Sequence, residues 1–441
     1  MKSKIDFVNG NTKKSLLMMV IPLLAAMILT MAYNLVDSLW VGNLLGESGY
    51  AALTNSTAIV LILSAIAMGC SSGVSILVSQ KVGEKNKKAT ECIIATLLIM
   101  SIAFGLIVTV GIELSLNSIL VWMNTPTELL ASAYDYLSVY MIGYIAIYVY
   151  MQFTALFRSF GDPIFQMKGM LISTIFNAVL DPIMINFFGL KGAAWATVFS
   201  EILCVVFAVI YHKKKKMFSI DFKKASFAYV KPILADVVPS AIQNCMPAIS
   251  SAVMLYLVTD FGVTTIAAYG VTNKLEILLF YPAMAMNMAL TTISGQCFGA
   301  KRPDRAKDYL KTAIVFGAVF IAIITAIVMV FSKQLCGLFI NSVEASSIVA
   351  TFFCIVSIGY VMYMITCCFL GNLSGLGKPS MSMLMFFLYY IVIRIPLAIV
   401  LVNTQLQLNG IWTAILISHI VSPFLAGGLL YFEQHRKKKK L

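Results

Sequence analysis

Charge is what this chain has least of. Asp, Glu, Lys and Arg make up 12% of its 441 residues, against roughly a quarter in soluble globular proteins. Long stretches carry one charge or none, which excludes an ordinary water-solvated domain. Only 3 histidines are present, and the 9 cysteines show neither a CxxC nor a Cys/His ligand spacing. Most lie inside apolar runs (Cys70, Cys204, Cys245, Cys354, Cys367, Cys368), where they read as small packing residues and not as a metal or disulfide framework. Strict apolar/polar alternation over about ten residues is absent too, which excludes the strands of a membrane β-barrel. No cleavable signal peptide is expected, because the first apolar run, from Ser15 to Gly42, is too long for a signal core.

What fills the chain is apolar. Hydrophobic residues make up 60%, and twelve segments are long enough to cross a hydrocarbon core, which takes about 20 helical residues. They lie near 15–42, 51–79, 92–113, 130–157, 164–187, 192–211, 232–258, 266–297, 312–331, 348–370, 381–402 and 410–432. Helix is the required state, because backbone facing lipid must bond internally. The net charge of +13 comes from basic residues between these spans. That placement sets topology by the positive-inside rule and needs no nucleic-acid partner. Of 32 Lys and Arg, 27 fall on one side and 2 (Lys191, Lys333) on the other. The expectation is a multi-pass plasma-membrane protein with both termini in the cytoplasm.

The two halves repeat at an interval of about 216 residues. Gln80 and Gly83 match Gln296 and Gly299; Gly161 and Pro163 match Gly377 and Pro379; Gly192 and Ser200 match Gly410 and Ser418 at a slightly longer interval. Gly, Pro and Gln at helix junctions are informative where apolar matches are not. Each half has an even number of spans, so the copies enter from the same side and run parallel. The expected fold is all-α, with twelve transmembrane helices in two parallel six-helix bundles around a central cavity. The expected domains are an amino-terminal bundle, 1–211, a basic cytoplasmic linker, 212–231, a carboxy-terminal bundle, 232–433, and a basic tail, 434–441.

Charges inside spans cost at least ~2.5 kcal/mol each and need a reason. Asp37 and Asp181 lie late in the first and fifth spans, at similar depth in the same bundle. Asn177 is one helical turn before Asp181, and Pro182 frees the carbonyl of Ala178. Two carboxylates, an amide and a free carbonyl are hard oxygen donors suited to a proton or Na⁺. Two acids held close cannot both stay ionised at low cost, which suits proton exchange. The plainer alternative is that each Asp bonds a neighbouring helix.

The fourth span carries Tyr136, Tyr140, Tyr144 and Tyr148, with Gln152 continuing the step of four. Such a stripe is either an aromatic wall for organic cations or helix packing. Glu276 in the eighth span and Arg394 in the eleventh could pair, structurally or lining the cavity, with Lys274 in the same region. Asn34 completes the candidate cavity set, and Glu201 has no evident place. Gly69-Cys70-Ser71-Ser72-Gly73 fits the GxSxG nucleophile pattern but lies within a span, where GxxxG helix packing is the better reading.

"NLVDSLWVG", "NAVLDP", "GAAWAT" and "AAYGVTNKLE" resemble motifs of the MATE family of multidrug and toxic-compound extruders, across nearly the whole chain. The resemblance implies an antiporter that exports small organic cations in exchange for H⁺ or Na⁺ by alternating access. By motif it assigns the amino-lobe cation site to Asp37, Asn177, Asp181 and Thr197, with Na⁺ as the only metal in view. It implies no cofactor and a monomer. Some members carry acids in the seventh and tenth spans. Here the tenth has none, and the seventh has only Asp236 and Asp260 near its ends, which argues against a cation site there. The rival readings are a lipid-linked oligosaccharide flippase, whose cavity would be Arg-rich where only Arg394 is expected to be buried, an intramembrane hydrolase built on Ser71 and His419, and a channel.

Overall fold

The computed structural model describes residues 4–438, with side chains described through residue 432. The far end of the expected basic tail, 439–441, lies outside the described residues. Compactness divides the chain into two units: unit 1 is Met1–Asp6 with Leu17–Ala241, and unit 2 is Phe7–Leu16 with Ile242–Leu441.

Unit 1 is built on α1 (Thr12–Gly83), α2 (Lys87–Trp122), α3 (Thr127–Ser159), α4 (Ile164–Phe188) and α5 (Leu190–Lys215), with the start of α6 (Val230–Val258). At 72 residues α1 is far longer than one crossing. It breaks at Gly46, whose φ of 69° is a left-handed conformation open to glycine at no steric penalty. It therefore counts as two spans. α3 is the most buried helix and packs on α2 and α5. Gly69 and Gly73 lie directly against the backbone of α6: a β-carbon at Gly69 would fall 2.4 Å from Cα of Ala241, and one at Gly73 2.5 Å from Cα of Val237. The GxxxG packing reading holds.

The linker is an ordered strap on unit 1. Phe218 is buried against Phe157 and Phe160. Two 3-10 turns, Phe222–Lys224 and Phe227–Tyr229, follow. Lys224 pairs with Glu91 at 2.7 Å, and the Ser226 amide donates to Thr96 Oγ1 at 2.9 Å.

Unit 2 contains α7 (Val263–Gly299), α8 (Pro303–Val330), the short α9 (Ser332–Gly337), α10 (Val343–Gly375) and α13 (Leu408–Lys438). One further span, Pro379–Val402, is composite: α11 (Pro379–Phe387), a π-helical stretch Leu388–Arg394, and α12 (Ile395–Val402). α10 is central, packed on α7, α8 and α13. Phe7 is buried here, edge-on to Tyr309, and Arg305 donates to Thr12 Oγ1 at 2.9 Å and to the carbonyl of Gly10.

Eleven helices among the described residues are long and apolar enough to span a membrane. With α1 counted as two, twelve spans result. Leu114 and Trp122 are each 84% exposed, as expected where lipid is the solvent. Several hydroxyls inside the spans bond within their own helices, as Thr30, Ser56 and Ser101 donate to the carbonyls of Ala26, Ala52 and Leu97. This internal bonding is what a medium without water demands.

Candidate functional site

α1 and α4 bring Asp37, Asn177 and Asp181 together within unit 1. All three are buried, Asp181 and Asn177 completely. Asn177 Nδ2 donates to Asp181 Oδ1 at 2.9 Å across one turn of α4, which orients the amide so that its oxygen faces away from Asp181. The Asp37 carboxyl comes within hydrogen-bonding range of the Asp181 carboxyl. Three oxygens remain occluded with no donor: Asp37 Oδ1, Asn177 Oδ1 and Asp181 Oδ2. Orphaned acceptors buried this way are costly, and two bare carboxylates in contact repel. A shared proton or a bound monovalent cation relieves both.

Thr197 on α5 joins through Tyr33, whose hydroxyl donates to Thr197 Oγ1 at 3.2 Å. Tyr33 also lies in the field of Glu201, Asp37 and Asp181. Tyr33 and Glu201 are thus neighbours of the site that sequence reasoning missed or left unplaced. The signal was present: Tyr33 is four residues before Asp37, and Glu201 four after Thr197, each one turn along the same face. Glu201 Oε2 is a further occluded oxygen without a donor.

The tyrosine stripe faces inward. Tyr140, Tyr144 and Tyr148 are buried in the core of unit 1 with Tyr136. Tyr144 donates to the Leu63 carbonyl at 3.1 Å, while Tyr140 and Tyr148 reach Ser64 and Cys70. The hydroxyls tie α3 to the second half of α1, so packing accounts for these rings. Gln152 is fully buried, and neither its Nε2 nor its Oε1 has a partner; nothing in the structure explains this. Asn34 is exposed and stands outside the carboxylate cluster.

Two expectations need correction. Arg394 was expected to be the one buried arginine, but Arg158, counted among the cytoplasmic-side basic residues, closes α3 and is 1% exposed. Arg158 donates to Gln166 Oε1 at 3.3 Å and to Ser71 and Ser75 at 3.5 Å. Ser71 itself donates to the Met151 carbonyl, which commits the would-be nucleophile to helix packing. The expected Glu276–Arg394 ion pair does not close. Glu276 accepts instead from Tyr360 at 2.6 Å, and Arg394 donates to Ser418 Oγ at 2.9 Å, to His419 Nε2 at 3.5 Å and to the Tyr389 hydroxyl. Lys274 lies over the Phe339 ring.

A duplicated, all-helical membrane fold with a buried carboxylate pair in one unit and a buried charge cluster in the other defines a polytopic transporter. The chain belongs to the MatE family, whose model matches residues 22–183 and 239–400. The two matched stretches are displaced by nearly the interval of the internal repeat. Among relatives, the probable multidrug resistance protein YoeA of Bacillus subtilis (strain 168) is 25% identical, over 97% of this chain and 95% of its own. The probable multidrug resistance protein NorM of Thermotoga maritima is 23% identical over 97% and 94%, and a FAD transporter of Shewanella oneidensis is 24% identical over 90% of each. Among solved structures, a multidrug resistance MATE family transporter of the MOP superfamily superposes with a TM-score of 0.93 over 100% of both chains at 23% identity. A MOP superfamily transporter from Pyrococcus furiosus gives 0.92 over 98% of both at 23%.

Proposed function

We propose that this chain is a secondary antiporter of the plasma membrane, with both termini cytoplasmic, that exports amphipathic organic cations in exchange for H⁺ or Na⁺. Similarity to multidrug resistance and multidrug export proteins supports multidrug efflux. The observation that carries ion coupling is the set of three orphaned oxygens on Asp37, Asn177 and Asp181. Hard oxygen donors without competing N–H groups hold a small hard cation or a shared proton. Loading the site replaces the contact between the two carboxyls, and unloading restores it. Such a two-state element is what an ion gradient must bias to drive alternating access.

The test is uptake of a fluorescent organic cation into proteoliposomes, with pH and Na⁺ gradients imposed separately. Asp37→Asn and Asp181→Asn each keep the shape and remove a charge. Gradient-driven transport is expected to fall to background in both, with expression and monodispersity retained. Wild-type rates in either variant would exclude the pair as the coupling site.

A further inference from the structure

Unit 2 holds two buried opposite charges that do not neutralise each other directly. Glu276 on α7 is 8% exposed and Arg394 is 6% exposed, and no ion pair joins them. Each keeps one polar end unbonded. Arg394 uses Nε and Nη2, and no hydrogen bond engages its Nη1; Glu276 uses Oε1, and none engages its Oε2. Neither free atom is among the occluded, unpartnered polar atoms of the described residues. Each therefore keeps a little accessible area on an otherwise buried side chain.

The local structure is built to hold them so. In the π-helical stretch Leu388–Arg394 the turn is wide, and Tyr389 and Tyr390, five and four residues back, come under the guanidinium at 4.7 and 4.8 Å. Arg394 Nη2 lies 3.5 Å from His419 Nε2, and His419 Nδ1 lies 2.9 Å from the Tyr389 hydroxyl. His419 packs among Phe280, Tyr360, Tyr363 and Tyr389 at 5.5–6.4 Å between ring centroids. A β-carbon at Gly359 would meet His419 at 3.0 Å, so the absence of a side chain there makes room for the imidazole. These neighbours are neutral donors, acceptors and rings. They position the guanidinium without quenching it.

A planar guanidinium edge takes a carboxylate or another flat anionic group. A carboxylate oxygen takes an ammonium or a polarised N–H. We propose that Glu276 and Arg394 form a bipolar receptor in unit 2 for aromatic compounds that carry both a positive and a negative group. This rests on the transport reading above and narrows its substrate class: the preferred ligand is a zwitterion, not a simple cation. Arg394 sets that preference, because an anionic group is the one partner a purely cationic ligand lacks.

The test is equilibrium binding of three xanthene dyes to the full-length purified protein, by fluorescence anisotropy. Rhodamine 110 carries a free carboxylate beside its cationic ring system, rhodamine 123 is its methyl ester and a cation, and fluorescein is the anionic analogue. Wild-type protein is expected to bind rhodamine 110 about tenfold more tightly than rhodamine 123, the scale of one charge-assisted hydrogen bond. Arg394→Gln is expected to erase that ratio, with rhodamine 123 affinity kept; Arg394→Lys retains part of it. Glu276→Gln is expected to improve fluorescein relative to rhodamine 123. Equal losses for both rhodamines in Arg394→Gln, or a wild-type preference for rhodamine 123, would overturn the receptor. The two ideas are separated by readout on the unaltered protein: a dye ratio present without gradient-driven transport counts against the antiport reading alone, and transport without the ratio counts against the receptor alone.

Discussion

Arg158 shows how far a single residue can depart from its place in a charge pattern. It is almost fully buried at the end of α3, and its partners Ser71, Ser75 and Gln166 are all neutral and lie at 3.3–3.5 Å. A cation desolvated against long, neutral bonds gains little to offset its burial. Its serine partners have other bonds: Ser71 to the Met151 carbonyl, and Ser75 to Ser159. Removing the guanidinium therefore leaves neither hydroxyl orphaned. The expected outcome for Arg158→Met is an unchanged or higher Tm in detergent, where loss of a well-paired buried ion would cost ~3–5 kcal/mol. A large fall in Tm would mean that the arginine is a structural keystone. A preserved Tm with lost transport would give Arg158 a part in transport. Tyr33 belongs to the same scale. Its hydroxyl donates to Thr197 and lies in the field of Asp37, Asp181 and Glu201. Tyr33→Phe is expected to keep dye binding while changing the steepness with which transport responds to the imposed ion gradient; an unaltered response would remove Tyr33 from the coupling network.

At the scale of elements, periodicity made the helices legible and left their interruptions hidden. The apolar runs gave every span, because lipid leaves the backbone one economical conformation. The π-helical stretch at Leu388–Arg394 was not read from "LYYIVIR", which is apolar like its surroundings; the one local cue is Pro396 just beyond it, which cannot donate to the carbonyl of Val392. The tyrosine stripe was legible as a face but not as to what it faces, since one spacing serves a cavity wall and a helix interface equally. Gly69 and Gly73 were clearer, because a pair of small residues one turn apart has few uses inside a membrane. The structure puts the α6 backbone where their side chains would be. Gly73→Val is therefore expected to cost ~1–3 kcal/mol by overpacking, with helix content retained and Tm lowered. A Tm equal to wild type would mean that α6 moves aside without penalty.

The whole molecule was read from its repeat and its charges. Loop glycines and prolines marked two copies, and the family match falls on two stretches in the same relation. Asp37 and Asp181 stood out because charge is rare in lipid, and their depths agreed. Glu201 and His419 did not find their partners in the sequence, because those lie on other helices. Orientation is the global property that charge bias addresses most directly. Twenty-seven basic residues on one side against two on the other predict that the strap at 212–231 is cytoplasmic and that the segments 259–265 and 403–409 are outside. Ser219, Asp260 and Gln405 are all exposed and suit single-cysteine probes. The background is simple to prepare: six of the nine native cysteines are buried, Cys92 and Cys245 are partly shielded, and Cys354 is exposed, so replacing those last three removes the accessible thiols. In intact cells, an impermeant maleimide is expected to label cysteine at 260 and 405 and to label 219 only after lysis. Labelling of 219 from outside would invert the topology, place Asp37 and Asp181 in the cytoplasmic half of their spans, and reverse the direction in which an inward ion gradient could load them.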